Sequence, residues 1–179
     1  MSRDKLKKEF SISLGLQQLP EGPVYLVSSE FEGKKNIMSV SMFAYMSGKL
    51  VSVGIAPSRF SFGLIRNSHE YVINVVDQSL IRAVKICGEN SGRDVDKFSL
   101  TKLTPMKGVK VNAPTIQESP VSLECTVVKE VDIGGHVWFI AEVQAAQARE
   151  GYDWRSGLLL KWIGEKRFYF KLGKKVGKF

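Results

Sequence analysis

Hydrophobic and polar residues alternate along much of this chain, with the period of two that is typical of half-buried β-strands. The first alternating region predicts three consecutive strands, GPVYLVSSE, IMSVSMFAYMS and KLVSVGIA, separated by turns at EGKKN and at Ser47–Gly48. A fourth strand, EYVINVV, is predicted at residues 70–76. Two long strands follow, VSLECTVVKEVD and HVWFIAEVQAAQA, and Gly134–Gly135 between them predicts a hairpin. RFYFKL near the end predicts one more short strand.

Helical spacing is confined to short segments between these strands. SRFSFGLIRNS predicts a helix because Phe60 and Leu64 lie one turn apart, with Ser58 as its N-cap. SLIRAVKICG predicts a second helix ending at Gly88, and NSGRDVDKF predicts one further helical turn capped by Asp94. Residues 101–119 are interpreted as irregular chain. Many strands with short helices and no repeating βαβ order predict one mainly β domain over residues 1–179, an antiparallel barrel with helical insertions.

Composition narrows the function classes without selecting one. The chain has 179 residues, 44% hydrophobic and 25% charged, which is ordinary for a globular protein. Its net charge of +8 is concentrated at the ends, at Arg3, Lys5, Lys7 and Lys8 and in a basic tail beginning at about Lys161. Solvated chain ends are one interpretation, and binding to a polyanion such as nucleic acid is the other.

Several classes are disfavoured by what the sequence lacks. No apolar run reaches the roughly 18 residues of a membrane span, and the charged start does not resemble a signal peptide. Cys87 and Cys125 are the only cysteines, and His69 and His136 the only histidines, so neither a disulfide framework nor a metal site is expected. We therefore expect a cytoplasmic protein.

The start of the first predicted helix has the residues of an anion site. Pro57 precedes Ser58, Arg59 and Ser61, and the first N–H groups of a helix have no partner within it. Two hydroxyls and a guanidinium at that position suit a phosphate monoester. The alternative is that Ser58 only caps the helix and Arg59 is solvated.

Two other segments have features of a ligand site. In the strand KKNIMSVSMF, Ser39 and Ser41 share one face, which leaves room for a flat ligand and supplies hydrogen bonds to its edge. The alternative is a strand with one face in solvent. In CGENSGRDVDKF, a helix end is followed by a Ser–Gly turn and a short turn carrying Lys97. That segment is equally consistent with an ordinary loop.

In this order, the segments NIMSVS, PSRFS, EYVINV, CGENSGRDVDKF, ESPVSLEC and GGHVWFIAEV resemble the flavin reductase-like, FMN-binding split-barrel family. This group includes flavoredoxins and related ferric reductases, and the resemblance covers roughly residues 20–145. It implies a Greek-key split β-barrel and an FMN-binding homodimer with each flavin near the subunit interface.

The resemblance also implies roles for individual residues. The isoalloxazine edge is expected at the strand from Asn36 to Ser41, and the phosphate at the helix start. Segment 91–98 is expected to close over the flavin, from the same or the other subunit. The expected flavin-binding residues are Asn36, Met38, Ser39, Val40, Ser41, Ser58, Arg59, Ser61, Ser91, Gly92 and Lys97. His136 is expected near the position where the electron donor or acceptor meets the flavin, as an orienting group or a proton source.

Three functions stay open at this point. The first is a flavin or ferric reductase that uses NAD(P)H as co-substrate. The second is an FMN electron-transfer protein of the flavoredoxin type, which receives electrons from a small-molecule or protein partner. The third, which the resemblance disfavours, is a basic β-barrel that binds nucleic acid through its Lys-rich ends.

Overall fold

The computed structural model describes residues 11, 12, 16, 19, 22–163 and 166–173, with the backbone alone at 162 and 163. Strands dominate the described part. They are β1 Tyr25–Phe31, β2 Lys34–Val40, β3 Phe43–Ser47, β4 Leu50–Ile55, β5 Glu70–Val75, β6 Pro105–Met106, β7 Thr115–Ile116, β8 Val121–Asp132, β9 Val137–Ala148, β10 Leu158–Ile163 and β11 Lys166–Lys171. The helices are α1 Phe60–Ser68, α2 Ile81–Glu89 and α3 Lys97–Thr101, with 3-10 turns at Gln78–Leu80 and Trp154–Ser156.

Seven of these strands form one antiparallel sheet in the order β2-β1-β5-β8-β9-β4-β3. Strands β2 and β3 lie at opposite edges of that order although only Ser41 and Met42 separate them along the chain. Laid flat, seven strands would put the edges about 29 Å apart, whereas the link from Val40 to Phe43 spans at most about 11 Å. The sheet therefore curls until its edges approach each other. The mainly β, antiparallel split-barrel prediction is confirmed.

Two apolar cores pack against this sheet. One fills the barrel and includes Val53, Ile73 and Phe139, with Phe62 of α1 closing it. The other lies outside the barrel wall, where α2 and the β10–β11 hairpin cover β1 and β2. The helical insertions are amphipathic because each covers one of these cores.

The predicted strand boundaries needed two corrections. Residues 37–47 were predicted as one strand, but the chain leaves the sheet at Ser41 and Met42 and re-enters it on the opposite edge as β3. The turn predicted at residues 32–36 consists of Glu32 and Gly33 alone, both at positive φ. The remainder of EGKKN belongs to β2. Alternation continues through Ser41 and Met42, and Lys34 and Lys35 are polar like the turn before them, so the pattern alone revealed neither boundary.

All three predicted helix caps were wrong. The residue at the N-cap of α1 is Arg59, and no side chain caps that helix. Helix α2 continues through Gly88 and ends at the extended residue Asn90. Helix α3 is capped by Asp96, whose side chain accepts hydrogen bonds from the amides of Phe98 and Ser99. Each true cap lies one or two residues beyond the predicted one.

The β10–β11 hairpin forms a separate two-stranded sheet that is attached to the barrel through β10. The amides of Val24, Leu158 and Leu160 donate to the carbonyls of Leu158, Val76 and Gly22, at 3.1 Å each. The basic residues of the N-terminus and Lys174, Lys175 and Lys178 of the tail lie outside the described residues. Within the described ranges, no helix is long and apolar enough to span a membrane.

Candidate functional site

A cleft of about 280 Å³ opens where the two sheet edges meet. Its walls come from the end of β2 and the following link, the end of β4, the start of α1, the last turns of α2, the β8–β9 turn and the β10–β11 hairpin. Six of the predicted site residues line it, namely Met38, Ser39, Val40, Ser41, Arg59 and His136. Segments that are distant along the sequence, at residues 38–41, 59 and 136, thus meet in one cleft.

The polar end of the cleft lies at the start of α1. Arg59 is exposed and its side chain lines the cleft immediately before the first helical residue, Phe60. The amides that begin a helix have no acceptor within it, and the helix dipole attracts negative charge there. Arg59 and the start of α1 therefore give this end of the cleft a positive electrostatic character.

Ser61 does not line the cleft. It is buried, and its hydroxyl accepts a hydrogen bond of 2.7 Å from the side-chain amide of the equally buried Asn36. Gly92 packs directly on this pair, since an added Cβ would lie 2.2 Å from Oδ1 of Asn36. These three expected ligands therefore stand behind the cleft wall, where they fix the start of α1 against β2.

The flat side of the cleft is formed by the end of β2. The hydroxyl of Ser39 donates to the carbonyl of Val84 in α2 at 2.6 Å, so its oxygen remains an acceptor toward a ligand. Met42 covers Gly54, where an added Cβ would lie 3.1 Å from Cε of Met42 and 3.3 Å from the ring of Trp138. The small residue at 54 thus leaves room for the thioether at the cleft wall.

Lys97 is buried behind α2 and does not line the cleft. Its ammonium donates to the carbonyl of Cys87 at 2.8 Å, near the negative end of the α2 dipole. Burial lowers the pKa of Lys97, the Cys87 thiol opposes that change, and the charge of Arg59 adds to it. Cys87 does line the cleft, and burial raises the pKa of its thiol to about 11, although Lys97 lowers it. The thiol is therefore neutral at physiological pH.

The segment after α2 packs on its own chain. Ser91 forms a tight turn, with its hydroxyl accepting from the amide of Arg93 at 3.2 Å. The guanidinium of Arg93 donates to the carbonyl of Ser58 at 2.9 Å. Ser58 is exposed and outside the cleft lining. Ser58 and Ser91 thus lie close to the start of α1, and neither residue lines the cleft.

His136 is half-buried at the cleft mouth, in the turn between β8 and β9. The carbonyl of His136 accepts from the amide of Ile133 at 3.0 Å, which closes the turn and fixes the backbone. The imidazole is therefore held at the open side of the cleft by a rigid hairpin. Trp138 follows it along β9 and contributes to the wall beneath Met42.

Sequence reasoning missed twelve of the residues that line the cleft, three of which (Cys87, Gly88 and Asn90) lie within the matched segment CGENSGRDVDKF. They come from α2 and its end, from β4, from the N-terminal approach to β1, and from the C-terminal hairpin. Those lining the cleft are Val24, Met42, Gly54, Ile55, Ala56, Val84, Cys87, Gly88, Asn90, Leu160, Arg167 and Tyr169. The alternation of RFYFKL was a usable signal for Arg167 and Tyr169, since it places both on one face of β11.

The lining defines the chemistry that the cleft can accept. Its charged side chains are Arg59 and Arg167, with His136 as a titratable third, and no carboxylate lines it among the described residues. In the same part of the chain, no group of three His, Cys, Asp or Glu side chains is arranged to hold a metal ion. Apolar groups of Val24, Val84 and Leu160 complete the walls. The cleft suits an anion with a flat, partly apolar body.

Solved structures share this architecture. The flavoredoxin of Desulfovibrio vulgaris superposes with a TM-score of 0.82 at 21% identity, covering 96% of this chain and 97% of that one. An FMN-binding protein from Thermus thermophilus, with p-hydroxybenzaldehyde bound, gives a TM-score of 0.82 at 20% identity, covering 97% and 99%. At such identities the likeness establishes the fold.

Sequence comparisons establish the family. An uncharacterized protein of Archaeoglobus fulgidus is 36% identical over 121 residues, which are 66% of this chain and 68% of that protein. The family model described as "Flavin reductase like domain" matches residues 19–164, which include every residue that lines the cleft apart from Arg167 and Tyr169. The resemblance inferred from the sequence is thereby confirmed, and the chain belongs to the flavin reductase-like domain family.

Proposed function

We propose that this protein binds FMN in the cleft and acts as a flavin-dependent oxidoreductase, as an NAD(P)H-dependent flavin or ferric reductase. One observation carries the proposal. The cleft has a cationic helix start at one end and small polar residues of β2 along one side. Its described lining contains no carboxylate. The similarity to an FMN-binding protein of the same fold supports it.

The side chains present fit the two parts of FMN. Arg59 and the first amides of α1 would hold the phosphate through charge-assisted hydrogen bonds. The backbone from Met38 to Ser41 and the hydroxyl of Ser39 would meet the polar edge of the ring. Asn36, Ser61 and Gly92 would act by position, because they lock α1 onto β2 and so fix the distance between phosphate site and ring site.

When bound, the flavin supplies hydride and electron transfer, and the protein supplies binding, orientation and electrostatics. His136 lies at the open side and would orient the second substrate or exchange a proton with it. Leu160 and Tyr169 of the β10–β11 hairpin also line the cleft and would limit the access of water to it. The roles of Ser58, Ser91 and Lys97 as direct ligands stay predictions, since none of these residues lines the cleft in this structure.

The phosphate assignment is tested by comparing FMN with riboflavin, which lacks the phosphate. We expect Arg59→Ala to weaken FMN binding by about 10- to 100-fold, the loss typical of one charge-assisted hydrogen bond. Riboflavin affinity should change by less than about twofold. Quenching of flavin fluorescence on titration with protein measures both constants.

Arg66→Ala is the matched control, since it removes the same charge from the last turn of α1 and breaks a surface ion pair with Glu130. It should leave FMN affinity unchanged. If Arg59→Ala keeps wild-type FMN affinity, or loses riboflavin equally, the phosphate does not bind at the start of α1. If the wild-type protein binds neither flavin, the proposed function is wrong.

The electron donor separates the two flavin-dependent candidates. An electron-transfer protein of the flavoredoxin type is the second candidate, supported by the similarity to the Desulfovibrio flavoredoxin. We expect anaerobic NADH or NADPH to bleach the visible flavin band of the loaded protein within minutes. Bleaching by dithionite and not by either nucleotide would favour the electron-transfer function. Homodimerisation stays a prediction, for which light scattering provides the measurement.

A further inference from the structure

A second cavity, of about 330 Å³, lies beside the cleft on the outer side of α2. It is lined by Lys85, Glu89, Arg167 and Tyr169. Arg167 and Tyr169 line the first cleft as well, so the two spaces share a wall. A ligand in the cleft that contacts Arg167 or Tyr169 is therefore next to the second cavity.

Secondary structure holds these four side chains on facing surfaces. Lys85 and Glu89 are one helical turn apart and so project from the same face of α2. Arg167 and Tyr169 are two residues apart on β11 and share a face, while Phe168 and Phe170 project from the other face and are exposed. Helix α2 and β11 thus form the two sides of the cavity.

The charges of the second cavity are mixed but net positive. The side chain of Lys85 makes no hydrogen bond or ion pair with any described residue, although Glu89 lies one turn away on the same helix. Burial raises the pKa of Tyr169, Arg167 lowers it and Glu89 raises it, which places both charges close to the phenol. Two cations, one carboxylate and one hydroxyl suit a ligand that combines an anionic group with hydroxyl groups.

We propose that the second cavity binds the phosphorylated-sugar portion of a reduced nicotinamide nucleotide, with Lys85 and Arg167 on its phosphates and Glu89 on a ribose hydroxyl. Carboxylates that accept from ribose hydroxyls and cations that hold pyrophosphate are the usual elements of such recognition. This inference rests on the proposed function and assigns the subsite of its second substrate. Arg167 occupies the position between the two cavities and would fix how far the nicotinamide reaches into the cleft.

ADP-ribose tests the subsite directly because it carries the pyrophosphate and both riboses but no nicotinamide. We expect calorimetric titration to show binding to the wild-type protein, weakened at high salt as expected for an exposed ionic site. Lys85→Ala and Arg167→Ala should each weaken ADP-ribose binding by about tenfold, the loss of one charge-assisted contact. Arg167→Lys should recover part of the affinity.

Arg82→Ala is the matched control, since Arg82 is an exposed cation on the same helix that does not line the cavity. It should bind ADP-ribose as the wild type does. A neutral donor, 1-benzyl-1,4-dihydronicotinamide, lacks the sugar and phosphates. It should reduce the flavin in the wild type and in Lys85→Ala at equal rates, whereas the rate with NADH at low concentration should fall about tenfold in the variant.

Failure of the subsite is distinguishable from failure of the proposed function. The titration is performed with and without FMN, since the second cavity has its own lining. Absence of ADP-ribose binding, or equal losses in Arg82→Ala and Lys85→Ala, overturns the subsite even if the protein retains FMN. A protein that binds no FMN contradicts the proposed function, and this is recorded before ADP-ribose is added.

Discussion

The substitution Gly92→Ala is the sharpest test of the packing between the start of α1 and β2. The added Cβ would lie 2.2 Å from Oδ1 of Asn36, 2.6 Å from its Cγ and 2.6 Å from Cδ1 of Phe60. Normal carbon–oxygen and carbon–carbon contacts are longer by about 1 Å. Asn36 is buried and hydrogen-bonded to Ser61, so it cannot turn away without breaking that bond.

The magnitude follows from these contacts. Overpacking a well-packed site by one methyl group costs about 1–3 kcal/mol. Loss of the 2.7 Å bond between Asn36 and Ser61 adds about 0.5–1.5 kcal/mol. We therefore expect Gly92→Ala to lower the free energy of unfolding by about 1.5–4.5 kcal/mol, and to lower Tm by about 3–18 °C in a chain of this length. FMN affinity should also fall, because α1 is displaced from β2.

Urea denaturation followed by tryptophan fluorescence measures the stability, and fluorescence titration measures the flavin affinity. Gly63→Ala is the control on α1, where an added Cβ meets nothing within 4 Å. It should stabilise the protein by about 0.5–1 kcal/mol, as Gly to Ala does in exposed helix positions. Typical surface substitutions change the free energy of unfolding by less than about 0.5 kcal/mol. If Gly92→Ala changes it by no more than that, the close packing on Asn36 is refuted.

Two further predictions concern titratable groups. Burial raises the pKa of Glu124, but hydrogen bonds from three backbone amides of the 109–111 segment and from Gln147 outweigh it, so the net pKa is lowered. Glu124→Gln should therefore lower the free energy of unfolding by about 2–5 kcal/mol at pH 7, from unpaired donors and lost charge. This gap should shrink as pH falls below about 4.5, because the carboxyl group of the unfolded chain then takes up a proton while the lowered pKa in the folded state resists it. Glu130→Gln, at a partly exposed ion pair, should cost under about 1 kcal/mol. An equal gap at pH 7 and pH 3 would contradict the first expectation. Burial raises the pKa of Cys87 to about 11 and of Cys125 to about 12. A thiol reagent at pH 8 should therefore label the two cysteines only after unfolding. Rapid labelling of the folded protein would contradict this expectation.

The long strands of the barrel could be predicted from the sequence because their signal is local. The segments at residues 121–132 and 136–148 alternate over their whole length and are joined by two glycines, and the structure has β8 and β9 within one residue of those bounds. Alternation reports which side of a strand is buried, so it is reliable wherever one face meets a core. Strand β10, with the sequence LLLKWI, has no such alternation and was not predicted as a separate strand.

The break between β2 and β3 was not predictable for a different reason. Side chains continue to alternate through Ser41 and Met42, so the local pattern is that of one long strand. Only the pairing of β2 with β1 and of β3 with β4 reveals that the chain changes sheet edges at this point. Pairing depends on contacts between distant segments, which periodicity does not encode.

The chemistry of the cleft was partly accessible from the sequence. Arg59 before a helix and Ser39 on a strand are residue types with a clear physical use, and both line the cleft. Ser61 is of the same type as Ser39, yet it is buried against Asn36, because the turn of the helix directs it inward. Tyr169 reaches the cleft because the β10–β11 hairpin packs beside it, and no local motif predicts where that hairpin packs. Residue type thus predicts what a side chain can do, and packing decides which partner it meets.

The short link between the two edge strands has a consequence for how this chain tolerates changes in length. Residues inserted between Ser41 and Met42 would lengthen the link between the edge strands β2 and β3. The two edges could then move apart, and the cleft between them would widen. The glycine turn at Gly134–Gly135 is exposed and could accept an inserted peptide without altering the barrel seam. Variation in length among homologous chains should therefore accumulate at the β8–β9 turn and be absent at the 41–42 step, even where the residue types at both places differ.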